Sequence, residues 1–300
     1  MNVYWFQDSK TGHLKQVQAL LDQLKKETEL SLTTIKHSDQ ESFSEMFSRR
    51  DQFNGQTILI GAGHDVYSTI LQAKKYLQKF ISKNIYSIAV LRPSYKLNSF
   101  DLIVAPEHDF RNRRLPKNVI PFKGSLAVTS QIPVDDSKAI IAIGGPSKHY
   151  KFDQKILMKQ LNYILSVYPK HEFKIFNSRR TPDALNIKLK DNLSNYPNVK
   201  FIHLNSPESD TFQDSLNRSS LKFVTPDSSN LVFEALSVKG QTYLIQIESP
   251  TYRRIFGSKK IRESMNELVN TKRVGVVSIL NKKGGVDIST IESPAPVYYK

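Results

Sequence analysis

The sequence predicts an α/β protein made of two Rossmann-like domains, each a doubly wound parallel sheet. Short runs rich in β-branched residues alternate with stretches of helical apolar spacing along the chain. The alternation lapses around 124–136, which is rich in Ser, Thr, Pro and Asp, and then restarts. The length of 300 residues also exceeds the usual size of one domain. We therefore expect an N-terminal domain over residues 1–130 and a C-terminal domain over residues 131–300.

The composition is that of an ordinary globular protein, with 39% hydrophobic and 24% charged residues. The absence of cysteine excludes disulfides, thiolate metal ligands and cysteine nucleophiles. The first residues lack the basic start and apolar core of a signal peptide. No apolar run approaches the roughly 20 residues that cross a bilayer. We therefore expect a cytoplasmic protein.

A formal net charge of +15 predicts an anionic partner. Because the chain has no arginine-rich tail, zinc-finger spacing or aromatic RNA-binding signature, we do not expect nucleic acid. The stretch 70–83 combines apolar residues at helical spacing with four lysines, at 74, 75, 79 and 83. Such a helix either lies on an acidic membrane surface, at the inner face of the membrane, or packs its apolar stripe on the protein's own sheet, which is the more usual arrangement.

In the first half, we predict strands at 3–6, 30–35, 57–60, 86–91 and 101–105. Each is followed by polar or turn residues, and in an open parallel sheet ligands bind where the strands end. The side chains and turn residues that we expect at this edge are Asp8, Gly12, His13, His64, Arg92, His108 and Asp109.

His13 follows Gly12 where the first strand turns into a helix. Histidine changes protonation near neutral pH, so His13 is a candidate general base, assisted by Asp8. The alternative is a histidine at a helix start that hydrogen-bonds to the backbone. For the other residues on this edge, which we assign to the acceptor side, the alternative is an ordinary surface loop. Neighbouring His and Asp side chains without a third ligand predict no metal site.

In the second half, we predict strands at 139–143, 174–176, 199–204, 221–225, 241–247 and 274–279, with helices between most of them. Glycines after the first of these strands allow backbone to approach a phosphate, and paired arginines after the second can hold a pyrophosphate. Each motif alone is weak, because neither a Walker P-loop nor G-x-G-x-x-G is present. The candidate donor-binding residues at these ends are Gly144, Gly145, Ser147, Lys148, Arg179, Arg180 and Thr181. The tail to residue 300 is a candidate for crossing back to the first domain.

The stretch 221–236 has the pattern strand, polar turn, helix, with Asp227 or Ser228 as the helix cap. Free backbone N–H groups at Ser228 and Ser229, together with the helix dipole, form a place for a phosphate. Glu234 lies about 10 Å further along the helix and could accept hydrogen bonds from ribose hydroxyls. The alternative is an ordinary capped helix with a solvated glutamate.

These motifs together resemble the mitochondrial-fission ELM-like family of glycosyltransferase-like proteins. The motifs are Asp8-x-Lys10-x-Gly12-His13, Arg92-Pro93, Phe100 to Pro106 with His108-Asp109, Gly144-Gly-Pro-Ser147, Ser178-Arg-Arg-Thr-Pro182, and Val224 through Glu234-Ala235. The resemblance implies a GT-B fold, in which two Rossmann-like domains face a cleft and the C-terminal one holds the nucleotide sugar. It also implies that Glu234 binds the ribose and that His13 faces the acceptor. Ser9 and Thr11 depart from the family's first motif, where Gly and Pro are often seen.

The resemblance predicts a metal-independent glycosyltransferase without a cofactor, which moves a sugar from a UDP- or GDP-linked donor to a cell-surface glycan or lipid-linked acceptor. Two alternatives remain open. A nucleotide-sugar epimerase would use the same fold and donor site without an acceptor. A non-catalytic adaptor would keep the fold and bind acidic membranes through its basic helices.

Overall fold

The structure, a computed structural model, describes residues 1–37, 56–79, 84–110, 114–130, 132–147, 150, 152–247, 259–281 and 287–295. Contacts within the chain divide it into two compact units, Met1–Val128 and Thr129–Lys300. Each unit has its own sheet and its own apolar core. The predicted α/β class and Rossmann-like sheets are therefore present in both units.

The first unit contains a six-stranded parallel sheet with the strand order β2-β1-β3-β4-β5-β6. Its strands are β1 (Asn2–Gln7), β2 (Ser31–Lys36), β3 (Thr57–Ala62), β4 (Ile85–Val90), β5 (Leu102–Pro106) and β6 (Val119–Phe122). Helix α1 (Thr11–Glu27) follows β1, and helix α2 (His64–Leu77) follows β3. The chain runs outward in one direction from β1 to β2 and in the other from β3 onward. The switch point, where an open sheet usually binds its ligand, therefore lies between β1 and β3.

Apolar clusters cover both faces of this sheet, so all six residues of β3 are buried. Helix α2 turns its apolar stripe inward, with Tyr67, Ile70 and Leu77 in the core. The described part of the helix at 70–83 thus packs on the protein's own sheet, which is the more usual of the two expected arrangements. Residues 80–83 of that helix lie outside the described residues.

The second unit contains a seven-stranded sheet with the order β13-β12-β11-β10-β7-β8-β9. Its strands are β7 (Asp135–Ala142), β8 (Glu172–Phe176), β9 (Val199–Ile202), β10 (Ser219–Val224), β11 (Gln241–Ile245), β12 (Gly275–Asn281) and β13 (Asp287–Glu292). Its helices are α3 (Gln154–Val167), α4 (Asp183–Leu193), α5 (Phe212–Arg218), α6 (Ser229–Leu236) and α7 (Lys259–Asn270). All strands are parallel except β13. The switch point lies between β7 and β10.

Two strands were not predicted from the sequence. Strand β6 has four residues, of which only Val119 is buried, and Pro121 interrupts its pattern. Strand β13 belongs to the tail, which was a candidate for crossing back to the first domain, and it pairs antiparallel with β12. Further along the tail, the N–H of Ala295 donates to the carbonyl of Lys272. The described part of the tail is therefore built into the second sheet.

None of the helices within the described ranges is long and apolar enough to cross a membrane.

Candidate functional site

The first candidate site lies where β1 ends and α1 begins. Nδ1 of His13 lies 2.6 Å from Oδ2 of Asp8, and the backbone N–H of Lys10 donates to Oδ1 of the same carboxylate at 3.0 Å. The Asp8 side chain is 2% exposed and that of His13 is 23% exposed. A buried carboxylate therefore holds one nitrogen of a partly exposed imidazole. When Nδ1 donates to Asp8, Nε2 is the nitrogen that can take a proton.

Gly63, at the end of β3, packs directly against this pair. A Cβ atom there would lie 2.5 Å from Nδ1 of His13 and 2.6 Å from Oδ2 of Asp8. Its φ of 99° lies in the region that favours glycine. Only glycine at this position lets the end of β3 close onto the Asp8–His13 pair.

Tyr67, on α2, connects β3 to the next strand end. Its buried hydroxyl lies 2.6 Å from the carbonyl oxygen of Val90 and 3.0 Å from that of Leu91. Burial raises the pKa of this hydroxyl above its ordinary value, the charges of Asp8 and Asp109 act in the same direction, and a backbone hydrogen bond from Gly63 opposes them. The tyrosine thus touches the β3 and β4 ends at once.

The remaining acceptor-side candidates follow the ends of β1, β3, β4 and β5. The guanidinium carbon of Arg92 lies 5.5 Å from the centre of the Phe110 ring. His64 contacts the Ser94 hydroxyl at 3.5 Å, and Nε2 of His108 lies 3.9 Å from Asp109. Gly12 lies in the first turn of α1. All of them follow the strand ends of one sheet, but contact with an acceptor stays a prediction for each.

In the second unit, the loops after β7, β8 and β10 meet at the Asp227 carboxylate. This side chain is fully buried, and it accepts hydrogen bonds from the Thr225 hydroxyl at 2.6 Å and from the Gly145 N–H at 3.2 Å. A guanidinium nitrogen of Arg180 lies 2.6 Å from its Oδ2. Burial raises the pKa of Asp227, whereas these three partners act in the opposite direction. The buried Asp227 carboxylate thus fixes three loops to one another, and contact of the 227–229 turn with the donor stays a prediction.

The two glycines after β7 serve this same packing. A Cβ atom on Gly144 would collide with the Asp227 carboxylate, and one on Gly145 would collide with the backbone of Arg180. The Gly144 N–H also donates to the Thr225 hydroxyl at 2.8 Å. These glycines thus allow the loops to pack closely on one another. Contact of their backbone with a phosphate stays a prediction.

Thr181 is also a buried support. Its hydroxyl donates to the carbonyl oxygen of Gly144 at 2.6 Å and accepts the N–H of Ser178 at 2.9 Å. The turn it stabilises carries Arg179 and Arg180, both of which are exposed. Thr181 therefore holds the arginine turn against the β7 loop, and the guanidinium groups remain able to reach a ligand.

The other predicted donor-binding residues are half-buried around this junction. Ser147 closes a turn with Tyr150, in which each residue accepts the other's N–H. Ser228 and Ser229 form the start of α6, and Glu234 lies in its last turn. Lys148 lies outside the described residues. Donor contact stays a prediction for these residues.

Several residues of these sites were not singled out from the sequence, namely Gly63, Tyr67, Thr225, Tyr150 and Arg262. Burial raises the pKa of the Tyr150 hydroxyl to about 12, with the Asp227 charge adding to this shift and the Arg262 charge opposing it. Of these residues, Gly63 had a local sequence signal, because it is a glycine close to the end of a predicted strand. Tyr67 had none, because it lies among apolar helix residues and looks like a core residue.

The described residues contain no group of three or more His, Asp or Glu side chains placed to hold a metal ion.

Several solved structures share the fold of this chain. A Listeria monocytogenes protein assigned as a UDP-N-acetylglucosamine 2-epimerase aligns with a TM-score of 0.53 and 13% identity, over 91% of this chain and 89% of that chain. The E. coli ADP-heptose lipopolysaccharide heptosyltransferase II aligns with a TM-score of 0.50 and 10% identity, over 82% and 84%. The Neisseria meningitidis UDP-GlcNAc 2-epimerase bound to UDP-GlcNAc aligns with a TM-score of 0.50 and 14% identity, over 90% and 92%. These likenesses confirm the predicted GT-B-like fold, and at such identities they show the fold alone.

No curated protein sequence matches the chain significantly. The family model described as mitochondrial fission ELM1, however, matches residues 11–283, which include helix α1 with His13 and all three loops of the second unit. Because this match covers most of the sequence, the chain belongs to the mitochondrial fission ELM1 family.

Proposed function

We propose that this chain is a GT-B-type glycosyltransferase that moves a sugar from a UDP- or GDP-linked donor to a hydroxyl group of a cell-surface glycan or lipid-linked acceptor. The observation that carries the proposal is the junction at the switch point of the second sheet. There, Asp227 and Thr181 fix the loops after β7, β8 and β10, and the Arg180 side chain remains 44% exposed. Ligands of doubly wound sheets bind at this position.

The donor's diphosphate would lie against the arginine turn and the start of α6. A guanidinium group has five N–H donors, so Arg180 can hold Asp227 and still donate to a phosphate oxygen. The N–H groups at Ser228 and Ser229 add the positive end of a helix. Together they would stabilise the negative charge that develops as the nucleoside diphosphate leaves, and no bound metal ion is required.

The acceptor would be activated by the Asp8–His13 pair of the first unit. Nε2 of His13 takes the hydroxyl proton while the hydroxyl oxygen forms its bond to the anomeric carbon of the sugar. The bond from that carbon to the phosphate oxygen breaks, and the nucleoside diphosphate leaves with its electron pair. The Asp8 carboxylate, fixed by Lys10 N–H, stabilises the imidazolium that results.

The donor site is tested by replacing the candidate ribose ligand. We expect Glu234→Ala to weaken UDP or GDP binding at least tenfold in calorimetry, because a charged hydrogen-bond acceptor to a hydroxyl pair is lost. Glu172→Gln is the matched control, since Glu172 is an exposed carboxylate at the opposite end of the same sheet. Unchanged nucleotide affinity in Glu234→Ala would remove Glu234 from the donor site.

The class of reaction is tested by incubating the protein with UDP-sugars in the presence and absence of acceptors. Sugar transfer to a hydroxyl acceptor supports the proposal. Interconversion of the free UDP-sugar without any acceptor would assign an epimerase instead. If no nucleotide or sugar nucleotide shifts the melting temperature, both enzyme assignments fail and an adaptor remains.

A further inference from the structure

Arg92, which follows strand β4, has a guanidinium nitrogen for which the described residues provide no partner. Its Nε is buried and has no hydrogen-bond partner. Within the part of the chain that the structure describes, no carboxylate lies within ion-pair distance of it, and its recorded partner is the face of Phe110 at 5.5 Å. Arginine keeps its proton at all accessible pH values. A buried N–H without an acceptor is rare and calls for an explanation.

The backbone beside Arg92 is held in an uncommon conformation. Leu91 has a φ of 71°, in the left-handed region that a side chain with a Cβ rarely adopts. The Tyr67 hydroxyl holds this turn in place through the carbonyl oxygens of Val90 and Leu91. Tyr67 is itself fixed by edge-on contacts with the rings of His64 and Phe100. Backbone strain that the surrounding structure stabilises, as at Leu91, is characteristic of functional sites.

Arg92 shares its edge of the sheet with the Asp8–His13 pair. It follows β4, which is separated from β1 only by β3, so the two strand ends lie about 10 Å apart at the usual strand spacing. The Gly63 backbone lies between them, packed on His13. A ligand of the size of a sugar phosphate spans such a distance.

We propose that Arg92 binds an oxyanion, a phosphate or a carboxylate, carried by the acceptor, and that Tyr67 is a positioning residue that sets the direction of Arg92. A guanidinium matches an oxyanion through paired N–H donors, and it keeps its charge at all accessible pH values. The assignment of the oxyanion to an acceptor rests on the proposed function. The binding of an oxyanion by Arg92 is independent of that function.

The binding test uses the full chain with inorganic pyrophosphate and with acetate, followed by hydrogen exchange. We expect pyrophosphate to slow exchange in residues 88–94 of the wild type, and Arg92→Gln to lose this protection and weaken the associated affinity at least tenfold. Arg218→Gln is the matched control, because this exposed arginine pairs with Asp214 at the surface of the second unit and should leave protection of 88–94 intact. This readout is independent of nucleotide binding, so it distinguishes failure of the oxyanion site from failure of the proposed donor site.

Acetate in place of pyrophosphate tells whether a carboxylate suffices. Co-sedimentation with vesicles containing phosphatidic acid, lost in Arg92→Gln, would identify a lipid-borne phosphate, whereas binding of soluble pyrophosphate alone would identify a soluble source. If neither anion protects residues 88–94, or if Arg92→Gln retains wild-type protection with an unchanged circular dichroism spectrum, the oxyanion site is refuted.

The role of Tyr67 is tested by Tyr67→Phe, which keeps the ring and removes the hydroxyl. We expect a several-fold loss of pyrophosphate affinity, and partial recovery in Tyr67→Phe combined with Leu91→Gly, because glycine adopts a positive φ without support. A purely structural role would lower the melting temperature and leave pyrophosphate affinity unchanged. That result would overturn the positioning role.

Discussion

In both units a buried aspartate follows the end of a central strand, but the two aspartates hold different basic side chains. Asp8 lies after β1 and holds the His13 imidazole at 2.6 Å, whereas Asp227 lies after β10 and holds the Arg180 guanidinium at 2.6 Å. In each case a glycine of a neighbouring strand end packs against the carboxylate, Gly63 in the first unit and Gly144 in the second. The surroundings of the two carboxylates are similar, and the chemistry of the side chain that each one holds differs.

That difference decides what each carboxylate can do. Imidazole gains and loses a proton near neutral pH, so the Asp8–His13 pair is suited to proton transfer. Guanidinium stays charged, so the Asp227–Arg180 pair is suited to fixing loops and presenting positive charge. One arrangement of strand end, glycine and buried carboxylate thus provides a reactive pair in one sheet and a rigid support in the other.

The variant His13→Gln gives the strongest test of this difference between the two pairs. Glutamine can still hydrogen-bond to Asp8 but cannot take the acceptor proton, so we expect the transfer rate to fall by roughly 10²–10⁴-fold while UDP affinity is unchanged. His171→Gln, at the opposite edge of the second sheet, is the control. A His13→Gln variant that transfers sugar at the wild-type rate would remove the imidazole from the chemistry.

The next largest effect is expected from Asp227→Asn. The substitution removes the charge that three loops share, so we expect the free energy of unfolding to fall by about 2 kcal/mol, less than for a fully buried pair because Arg180 is half-exposed. Urea unfolding of the full chain measures it. Asp65→Asn is the matched control, because its ion pair with Lys10 lies at the surface and should not change the unfolding midpoint measurably. An unchanged midpoint for Asp227→Asn would contradict the loop-fixing role.

A smaller effect concerns Lys222, whose buried amino group donates to the carbonyl oxygens of Val238 and Lys239. Burial lowers the pKa of Lys222 from 10.5 to about 7. Between these values the unfolded chain binds more protons than the folded one, so stability rises with pH across this window. The rise is about 1 kcal/mol from pH 7 to pH 8.

Lys222→Met should flatten this dependence, because methionine does not titrate. Urea unfolding midpoints measured at several pH values from 7 to 9 compare the two proteins. Lys200→Met, an exposed lysine paired with Glu208, is the control and should keep the wild-type slope. Equal slopes for Lys222→Met and the wild type would show that Lys222 is charged in the folded protein.

The central strands were predictable from sequence because they are buried on both faces, and their apolar runs, such as 139–143, are unbroken. Strand β6 was missed because one buried residue, Val119, leaves no pattern. The Asp8–His13 contact was accessible for a similar reason, since the two residues are five positions apart at one strand end.

The supporting roles were not accessible in this way. Tyr67 lies on the apolar stripe of α2, and its hydroxyl acts on backbone more than 20 residues further along the chain. Asp227 meets Gly145 across 82 residues. Contacts of this kind depend on which strands become neighbours, and local patterns do not encode that.

The position of β7 in its sheet also bears on how the protein is made. β7 is the first strand of its unit to leave the ribosome, yet it ends between β8 and β10, and Thr225 holds the Gly144 N–H from 81 residues downstream. A nascent chain that has exposed only β7, β8 and β9 carries the arginine turn without the aspartate that anchors it. Any ligand that needs this junction can therefore be captured only after β10 has been translated and inserted.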